Sequence, residues 1–372
     1  MRDSVRCNHL RTTLYLLLLF ISFSTGACGH SEARSTKISE DIVRQAIHDY
    51  GRGHEVSAVH PPPAIPDETD ELYEAHTRVL LVRGDFAQLE KMAMQNRTEK
   101  GRVLGGNWKI PSFYDGTSFP EHSSPIVDSD FLSMIDRLKH WEDSYPESAV
   151  PHLSLAYLYI SYADFGRGNG FANEVTQAQW KLYNERTAQA KAQLLLASKL
   201  KDRDPFWYQV MQMVAHHEGW DKTSARELLD QAIAFEPTYF HYYRMYARYL
   251  EPQWYGEPGD IKALAEEVSA LRPEPEGSIL YFQVISSLAC YCKQAMEDLQ
   301  STSFAKIKEG YTNLDHLYGT SNLNANRFAF LASLVLDKPA TQAAFHSLIK
   351  ADLSVWTYQS TFDRAREWAA SP

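Results

Sequence analysis

The chain has few cysteines, and their positions exclude a fold held together by disulfides. Only four of its 372 residues are cysteine, and two of these, Cys7 and Cys28, lie at the N-terminus. The other two, Cys290 and Cys292, stand two positions apart, which on a helix turns their side chains about 200° away from each other. Such a pair cannot form a disulfide without unwinding the helix, and a zinc site would need a Cys-x-x-Cys pair with further ligands. We therefore interpret both as small packing residues.

A cluster of basic residues is also missing. The chain has 37 Lys and Arg against 47 Asp and Glu, a formal net charge of −10, and the basic residues form no stripe. Proteins that bind nucleic acid or anionic membrane surfaces carry such a basic patch. Beyond residue 28, no segment is apolar for long enough to span a bilayer. We therefore expect no nucleic acid as a partner, and a lipid at the N-terminus as the single link to a membrane.

Catalytic and metal-binding motifs are absent as well. The glycines of Gly166–Gly170 follow no predicted strand and lack the Lys-Ser/Thr of a phosphate-binding loop, so they indicate a turn between helices. His216-His217-Glu218 is not His-Glu-x-x-His, and adjacent histidines on a helix diverge by about 100°. No Gly-x-Ser-x-Gly elbow occurs. The sequence predicts no catalytic residue, no metal site and no cofactor.

The first 27 residues have the pattern of a secretory signal peptide. Three arginines precede an apolar run, Leu14–Phe23, that is too short to span a bilayer comfortably, and small residues follow. Thr25-Gly26-Ala27-Cys28 is similar to the bacterial lipobox, in which the cysteine is lipidated, although Thr25 stands where that pattern usually has Leu. Two outcomes stay open: a lipoprotein anchored through Cys28, or cleavage after Ala27 and a soluble secreted protein. Both predict a location in the periplasm or at the outer membrane.

The remainder divides into a tether and a helical body. Residues 28–66 begin as a polar stretch and end in a proline run, which favours extended polyproline geometry, with a short helix predicted between them over Ile38–Tyr50. Residues 67–372 form the expected helical domain. Within it, residues 100–128 have no periodicity and are rich in Gly, Pro, Asn and Ser, so we predict one long irregular loop there.

A helical pattern recurs along the middle of the chain. Ala190, Leu194 and Ala197 have the i, i+4, i+7 spacing of one helix face, and the same three residue types return 35 positions later at 225, 229 and 232. Pro237 ends the second helix, and another proline follows 36 positions beyond it. A period of 33 to 36 residues is typical of two-helix repeats of the tetratricopeptide type. The predicted fold is all-α, a right-handed solenoid of helical hairpins.

Several motifs add a resemblance to a known family. They are Gly106-Asn-Trp108-Lys, Phe113-Tyr114-Asp115-Gly116, Tyr162-Ala163 with Arg167-Gly168-Asn-Gly170, Asp204-Pro205-Phe-Trp207-Tyr208, Gly219-Trp220-Asp221 and Trp254-Tyr255-Gly256-Glu257-Pro258-Gly259-Asp260. Over about Leu72 to Ala369 the chain resembles the bacterial family catalogued as domain of unknown function 4034. The resemblance implies a tetratricopeptide-like helical body and brings no catalytic residue with it.

One polar stripe stands out on the helix after Pro237, which is otherwise covered with tyrosines. His241, Arg244, Arg248 and Glu251 follow at i, i+3, i+7 and i+10. In tetratricopeptide repeats the first helix of each pair lines the concave groove, and these positions fall on its groove-lining side. Two arginines one turn apart can grip a carboxylate. The alternative is a solvated stripe in which Arg248 and Glu251 pair locally.

The preceding helix offers a second set of polar residues with the same spacing. Gln209, Gln212 and His216 follow at i, i+3 and i+7. Together with His241, Arg244 and Arg248 they are the predicted ligand-binding residues, and the expected ligand is a protein or peptide partner.

Two classes of function follow. The first is a binding or scaffold protein of the cell envelope with a peptide or protein in its groove. The second is an enzyme or small-ligand binder with its site at the 100–128 loop and the Gly166–Gly170 turn. The location of four aromatic residues, Trp108, Tyr114, Trp220 and Trp254, discriminates between them. Burial would make them structural, whereas convergence on an open pocket with Asp115 would favour the second class.

The lipidation prediction can be tested by fractionation. We expect the wild-type protein in the membrane fraction and the Cys28→Ala variant in the soluble envelope fraction, because the variant lacks the acylated thiol. The Cys290→Ala variant, changed outside the signal region, should behave as the wild type does. A soluble wild-type protein whose mature N-terminus carries no lipid by mass spectrometry would leave simple secretion as the answer.

Overall fold

The protein is helical throughout the part of the chain that the structure describes. This computed structural model describes residues 38–57, 65–120, 125–288 and 299–372. The predicted signal peptide, Cys28, most of the proline run (residues 61–64), Cys290 and Cys292 lie outside these ranges. Helices account for 69% of the described residues, which form no strand, only an isolated bridge between Arg102 and Trp108. The predicted all-α class is confirmed.

Seventeen helices occur in the described ranges. In chain order they are α1 (Glu40–Tyr50), α2 (Asp70–Arg83), α3 (Phe86–Glu99), α4 (Lys109–Ser118), α5 (Asp128–Ser144), α6 (Val150–Arg167), α7 (Gln177–Ala197), α8 (Phe206–Glu218), α9 (Lys222–Phe235), α10 (His241–Tyr249), α11 (Asp260–Ala270), α12 (Glu276–Ile285), α13 (Phe304–Tyr318), α14 (Asn322–Leu334), α15 (Lys338–His346), α16 (Leu353–Trp356) and α17 (Gln359–Ala370). None of the helices in these ranges is long and apolar enough to cross a membrane.

Alternate helices form a continuous row. The helices α4, α6, α8, α10 and α12 each contact the next in this series. The helix α6 is the most enclosed of the row: every residue from Val150 to Ala163 is buried, and α4, α5, α7 and α8 all contact it. An apolar surface on all sides of a helix has to be covered by neighbours on all sides. The row therefore forms the centre of the fold.

The recurring Ala-Leu-Ala pattern lies in the core on both occurrences. Ala190, Leu194 and Ala197 on α7 are fully buried, and their counterparts on α9 are at most 4% exposed. Asp221 begins α9 as its N-cap, since its carboxylate accepts hydrogen bonds of 3.0 Å from the backbone amides of Thr223 and Ser224. The helices predicted from the period are therefore present, and the repeated face is buried on both.

The segment expected to be one irregular loop contains a helix. The helix α4 occupies Lys109–Ser118, and Ile110, Phe113 and Tyr114 on it are each 1% exposed. Gly116 concealed this helix in the sequence, because glycine within a pattern normally argues against a helix. Here the glycine allows close packing, since a Cβ at Gly116 would overlap Thr77 of α2. The prediction of irregular structure over the whole of 100–128 was wrong.

The predicted tether also needs correction, because α1 packs on the helical body. Tyr50 is fully buried, and its ring stacks on Trp207 of α8 with centroids 4.3 Å apart. The Tyr50 hydroxyl accepts a hydrogen bond of 2.8 Å from the Asp204 amide, and the Tyr208 hydroxyl donates to the Ile47 carbonyl at 3.1 Å. Residues 40–50 therefore belong to the core and not to a flexible spacer.

Residues 100–108 cross the interior and connect distant parts of the chain. The Gly105 amide donates to the Tyr318 carbonyl at 3.0 Å, and the Gly105 carbonyl accepts from the Asn324 side chain at 2.9 Å. The Trp108 indole donates to the Thr238 carbonyl at 3.1 Å. This segment, called the crossing segment below, thus contacts α13, α14 and the start of the α10 region. It determines which part of the α10 surface stays accessible.

Truncating Tyr50 tests whether α1 is part of the fold. Tyr50→Ala should lower the free energy of unfolding by about 3–5 kcal/mol, as other large-to-small changes of buried aromatics do. The control is Ile42→Ala on the same helix: Ile42 is 57% exposed, so its loss should change stability by no more than about 0.5 kcal/mol. Denaturant unfolding measures both, and equal midpoints for wild type and Tyr50→Ala would restore the tether interpretation.

Candidate functional site

The two predicted arginines of α10 lie in different surroundings. One Arg244 nitrogen, Nη1, donates to Asn107 Oδ1 at 3.2 Å and also to Gln283 Oε1, and Nη2 donates to His241 Nε2 at 2.6 Å. Burial, followed by Arg244 and two further arginines, lowers the pKa of His241 well below its usual value, so its ring is neutral and Nε2 accepts. Asn107 belongs to the crossing segment. The chain itself therefore covers the Arg244 end of the stripe.

Arg248 faces another set of groups. Its charge opposes the rise that burial causes in the pKa values of Asp164 and Glu251, and it adds to the lowering that burial causes in the pKa values of His216 and His217. The two arginines consequently do not form the single clamp that their spacing suggested. Only the Arg248 end has neighbours that belong to α6 and α8 of the central row.

The two glutamines predicted to bind a ligand are structural. Gln209 is 2% exposed and accepts a hydrogen bond of 2.6 Å from the Tyr239 hydroxyl, and Gln212 is 7% exposed and donates to the Tyr242 carbonyl at 3.2 Å. Both bonds join α8 to the α10 region. These bonds stabilise helix packing, although Gln212 Oε1 is buried without a partner in the described protein. The expectation that they line an open groove was wrong.

A polar cluster surrounds Arg248, and we call it the Arg248 cluster. Its members are Asp164 and Arg167 of α6, Tyr183 of α7, His216 and His217 of α8, and Arg248 and Glu251 with Trp254 at the end of α10. Trp254 packs edge-on against His216 with centroids 4.5 Å apart, and Tyr183 stacks on His217 with centroids 4.6 Å apart. Asp164 keeps 33% of its side-chain surface accessible, so the cluster opens to solvent beside it.

Five buried atoms of this cluster have no hydrogen-bond partner in the described protein. They are Arg167 Nε and Nη2, the Tyr183 hydroxyl, His216 Nε2 and Trp254 Nε1. Arg167 is 3% and Tyr183 2% exposed, so bulk water covers little of either side chain. Buried polar groups are nearly always satisfied, and an unsatisfied one costs about 1–3 kcal/mol. Four of the five atoms are obligate or capable donors, which is the complement of an acceptor-rich group.

His217 and Asp164 share one titratable proton, apart from the hydrogen that His217 carries on Nδ1. Thr187 Oγ1 donates its single hydrogen to the Tyr183 carbonyl at 2.8 Å, so its contact of 3.2 Å with His217 Nδ1 requires a hydrogen on that nitrogen. A neutral His217 then presents the lone pair of Nε2 to Asp164 Oδ1, 3.4 Å away.

The pKa values of this pair indicate where the proton resides. Burial, with help from Arg248 and Arg167, lowers the pKa of His217 to about 3, and burial raises the pKa of Asp164 to about 7. The proton therefore resides on Asp164 and leaves as the pH rises through about 7. Glu251, which is 7% exposed, also loses its proton as the pH rises through about 7, because burial raises its pKa to about 7 against the opposing effect of Arg248.

The aromatics of the alternative site mostly pack in the core. Trp108 and Tyr114 are each 1% exposed, and the Tyr114 hydroxyl donates to Asp204 Oδ2 at 2.9 Å. The Trp220 indole donates to Glu218 Oε2 at 3.0 Å, whereas Trp254 lies in the Arg248 cluster. The four therefore do not converge on one pocket with Asp115. The Gly166–Gly170 turn contributes to the cluster through one residue that it contains, Arg167.

Sequence reasoning did not assign four members of the cluster. Arg167 was within a noted glycine turn and His217 within a noted histidine pair, so a local signal existed for both. Asp164 and Tyr183 carried no signal, because they lie on helices without a polar stripe. His216, which was predicted, lies in the cluster. In the described ranges, no group of three or more His, Cys, Asp or Glu residues could hold a metal ion.

Comparisons of the chain with protein-family models, with curated proteins and with solved structures found no match. The resemblance to the family of unknown function therefore stays a prediction from the motifs quoted above. Function has to be argued from the geometry of the site alone.

The Asp115 carboxyl allows a test of burial by pH. It accepts a hydrogen bond of 3.0 Å from the Tyr157 hydroxyl, and burial, reinforced by Glu74, raises its pKa to about 8. Between its unfolded pKa near 4 and its folded pKa near 8, the folded state holds the extra proton, so stability falls as the pH rises across this window.

Substituting the carboxyl should reduce this slope. Asp115→Asn keeps the acceptor and has no charge to bury, so thermal melts from pH 5 to 9 should show a weaker loss of stability than in the wild type. The contrasting control is the exposed N-cap Asp221, whose pKa is lowered by hydrogen bonds from Ser224 and Thr223. Asp221→Asn should leave the alkaline limb unchanged. An unchanged slope in Asp115→Asn would contradict the burial of a carboxyl at this position.

Proposed function

We propose that the protein is a tetratricopeptide-like, right-handed helical solenoid of the cell envelope that binds a protein or peptide partner on its inner face. The contact of α4, α6, α8, α10 and α12 in one row supports this architecture, because alternate helices of such a solenoid form its concave layer. The signal-like N-terminus supports an envelope location, with Cys28 as lipid anchor or with simple secretion.

The observation that carries the proposal is the convergence of polar side chains from three members of the row on the Arg248 cluster. Arg167 comes from α6, His216 from α8 and Arg248 from α10, and each lies toward the C-terminal end of its helix. A structural core would place apolar groups at such a meeting point. Arg167 and His216 have buried nitrogen atoms without a hydrogen-bond partner in the described protein, and such groups favour a binding surface.

The crossing segment restricts where a partner can bind. It covers the Arg244 end through Asn107, so the proposed groove is the Arg248 end together with the surface next to Asp164. A partner reaching this end meets two guanidinium groups and neutral histidines, which suits a carboxylate. The competing proposal of an enzyme at the 100–128 segment has less support, because Trp108 and Tyr114 pack in the core.

Differential capture from the native envelope fraction tests the proposal. Arg248→Gln removes the charge and should weaken capture of a specific partner at least tenfold, since a charge-assisted hydrogen bond contributes about 1.5–3 kcal/mol and 1.4 kcal/mol is tenfold. The matched control is Arg366→Gln, changed on the exposed face of α17, where Arg366 pairs only with Asp363 of its own helix. A partner retained by wild type and Arg366→Gln but lost by Arg248→Gln, at unchanged melting temperature, supports the proposal. Identical capture by all three chains overturns it.

A further inference from the structure

We propose that the Arg248 cluster is a pocket for one monovalent carboxylate, with the Nε–Nη2 edge of Arg167 and the Tyr183 hydroxyl as its donors. The inference deepens the proposed function by naming the group that the inner face recognises. The same chemistry is offered by the C-terminus of a peptide and by a small free carboxylic acid. The experiment below separates these two sources.

The edge of Arg167 is the first reason. Its Nε–H and one Nη2–H point in the same direction, and this side-on pair matches the two oxygens of a carboxylate. Both atoms are buried without a protein partner, whereas Nη1 on the far side donates to the Gly168 carbonyl at 3.0 Å. The guanidinium also lies over the Trp180 ring, 5.4 Å from its centroid. The protein thus binds the Nη1 side of the Arg167 guanidinium and leaves its Nε–Nη2 edge for a ligand.

The position of Tyr183 is the second reason. Its ring packs edge-on against Trp180, with centroids 5.6 Å apart, and this is the ring that the Arg167 guanidinium covers. Its other neighbour is His217, whose Nε2 lies 3.4 Å from Asp164 Oδ1. Burial, reinforced by Asp164, raises the pKa of Tyr183 well above its usual value. The hydroxyl is protonated and able to donate a hydrogen bond, but it has no acceptor in the described protein. A carboxylate held by Arg167 would provide that acceptor.

The charges select a monovalent anion. The titratable groups of the proposed pocket are Asp164 and Arg167 from α6, Tyr183 from α7, His216 and His217 from α8, Arg248 from α10, and Glu251 and Tyr255 beyond α10. The two arginines are balanced only in part by Asp164 and Glu251, whose pKa values are both raised to about 7. A phosphate dianion would meet these two acids at close range, whereas a carboxylate adds a single charge.

The same acids make binding dependent on pH. Below about pH 7 both are largely protonated, both histidines are neutral, and the pocket carries the two arginine charges. Above it, ionised Asp164 and Glu251 cancel these charges and repel an anion. Carboxylate affinity should therefore fall as the pH rises from 6 to 8, and binding near pH 7 should take up protons.

Calorimetry on the whole mature chain, residues 28–372, tests the proposal with defined probes. They are acetate, N-acetylglycylglycine as free acid, its C-terminal amide, and inorganic phosphate, each at pH 6 and pH 8. We expect both carboxylates to bind at pH 6, at least one of them detectably weaker at pH 8, and the amide to show no binding. If N-acetylglycylglycine binds more tightly than acetate, the source of the carboxylate is the C-terminus of a peptide. If the two bind with equal affinity, the source is a small free acid.

Two variants provide the structural controls. Arg167→Lys keeps the charge but loses the side-on pair, and it should weaken the carboxylates at least tenfold, whereas Arg366→Lys should not. Tyr183→Phe removes a buried hydroxyl that has no protein partner, so its melting temperature should equal or exceed that of the wild type while probe affinity falls about three- to tenfold. A purely structural tyrosine would not combine these two results.

Three results would overturn the inference: no carboxylate binding by the wild type, phosphate binding more tightly than either carboxylate, or unchanged affinity in folded Tyr183→Phe. The two proposals fail separately. Partner capture that depends on Arg248 without any carboxylate binding would remove the pocket and keep the proposed function. Carboxylate binding that depends on Arg167 without an Arg248-dependent partner would remove the proposed function and keep a small-ligand pocket.

Discussion

The crossing segment, residues 100–108, is the element on which the rest of the arrangement depends. It begins at a buried ion pair, Lys100 with Glu236, in which Nζ and Oε2 are 2.8 Å apart and both side chains are nearly inaccessible. Breaking one partner of such a pair leaves an uncompensated charge in the interior, which is strongly destabilising. At its other end, Trp108 is fixed to the Thr238 carbonyl. Both anchors lie at the junction of α9 and α10, so the segment holds this junction against α2 and the last third of the chain.

This constraint also explains why one helix carries two kinds of arginine. The segment brings Asn107 to Arg244, which thereby becomes part of a hydrogen-bonded network with His241 and Gln283. Arg248, one turn further, acts electrostatically on Asp164 of α6 and on His216 and His217 of α8. The same polar stripe is therefore structural at its N-terminal end and directed at the proposed pocket at its C-terminal end. Spacing on a helix predicts which residues share a face, but not what each will meet.

The predictable part of the fold is the part determined by local pattern. The repeated Ala-Leu-Ala spacing predicted α7 and α9 because small buried residues on one face specify close helix packing. The sequence could not indicate that α1 would pack on Trp207, since an amphipathic pattern does not specify which element the helix packs against. Gly116 led to the wrong prediction of a loop, because its role is to allow close packing against Thr77 of another helix, which the local pattern does not show. The site shares this limit: Arg167 and Arg248 are 81 positions apart and meet only through the stacking of α6, α8 and α10.

The unsatisfied donors of the Arg248 cluster lower the stability of the folded protein, and this cost fits the proposed role of the cluster in binding. Each unsatisfied buried donor costs about 1–3 kcal/mol, and several at one place are a large cost against a net stability of about 5–15 kcal/mol. Arg167 is nevertheless held in one orientation by Gly168 and Trp180, so little rotamer freedom remains to be lost when a ligand arrives. The ligand would also remove the desolvation cost of Tyr183 and Arg167 at the same time. An acceptor group at this position would therefore stabilise the folded protein by more than its own hydrogen bonds, because it completes groups that the fold has already ordered.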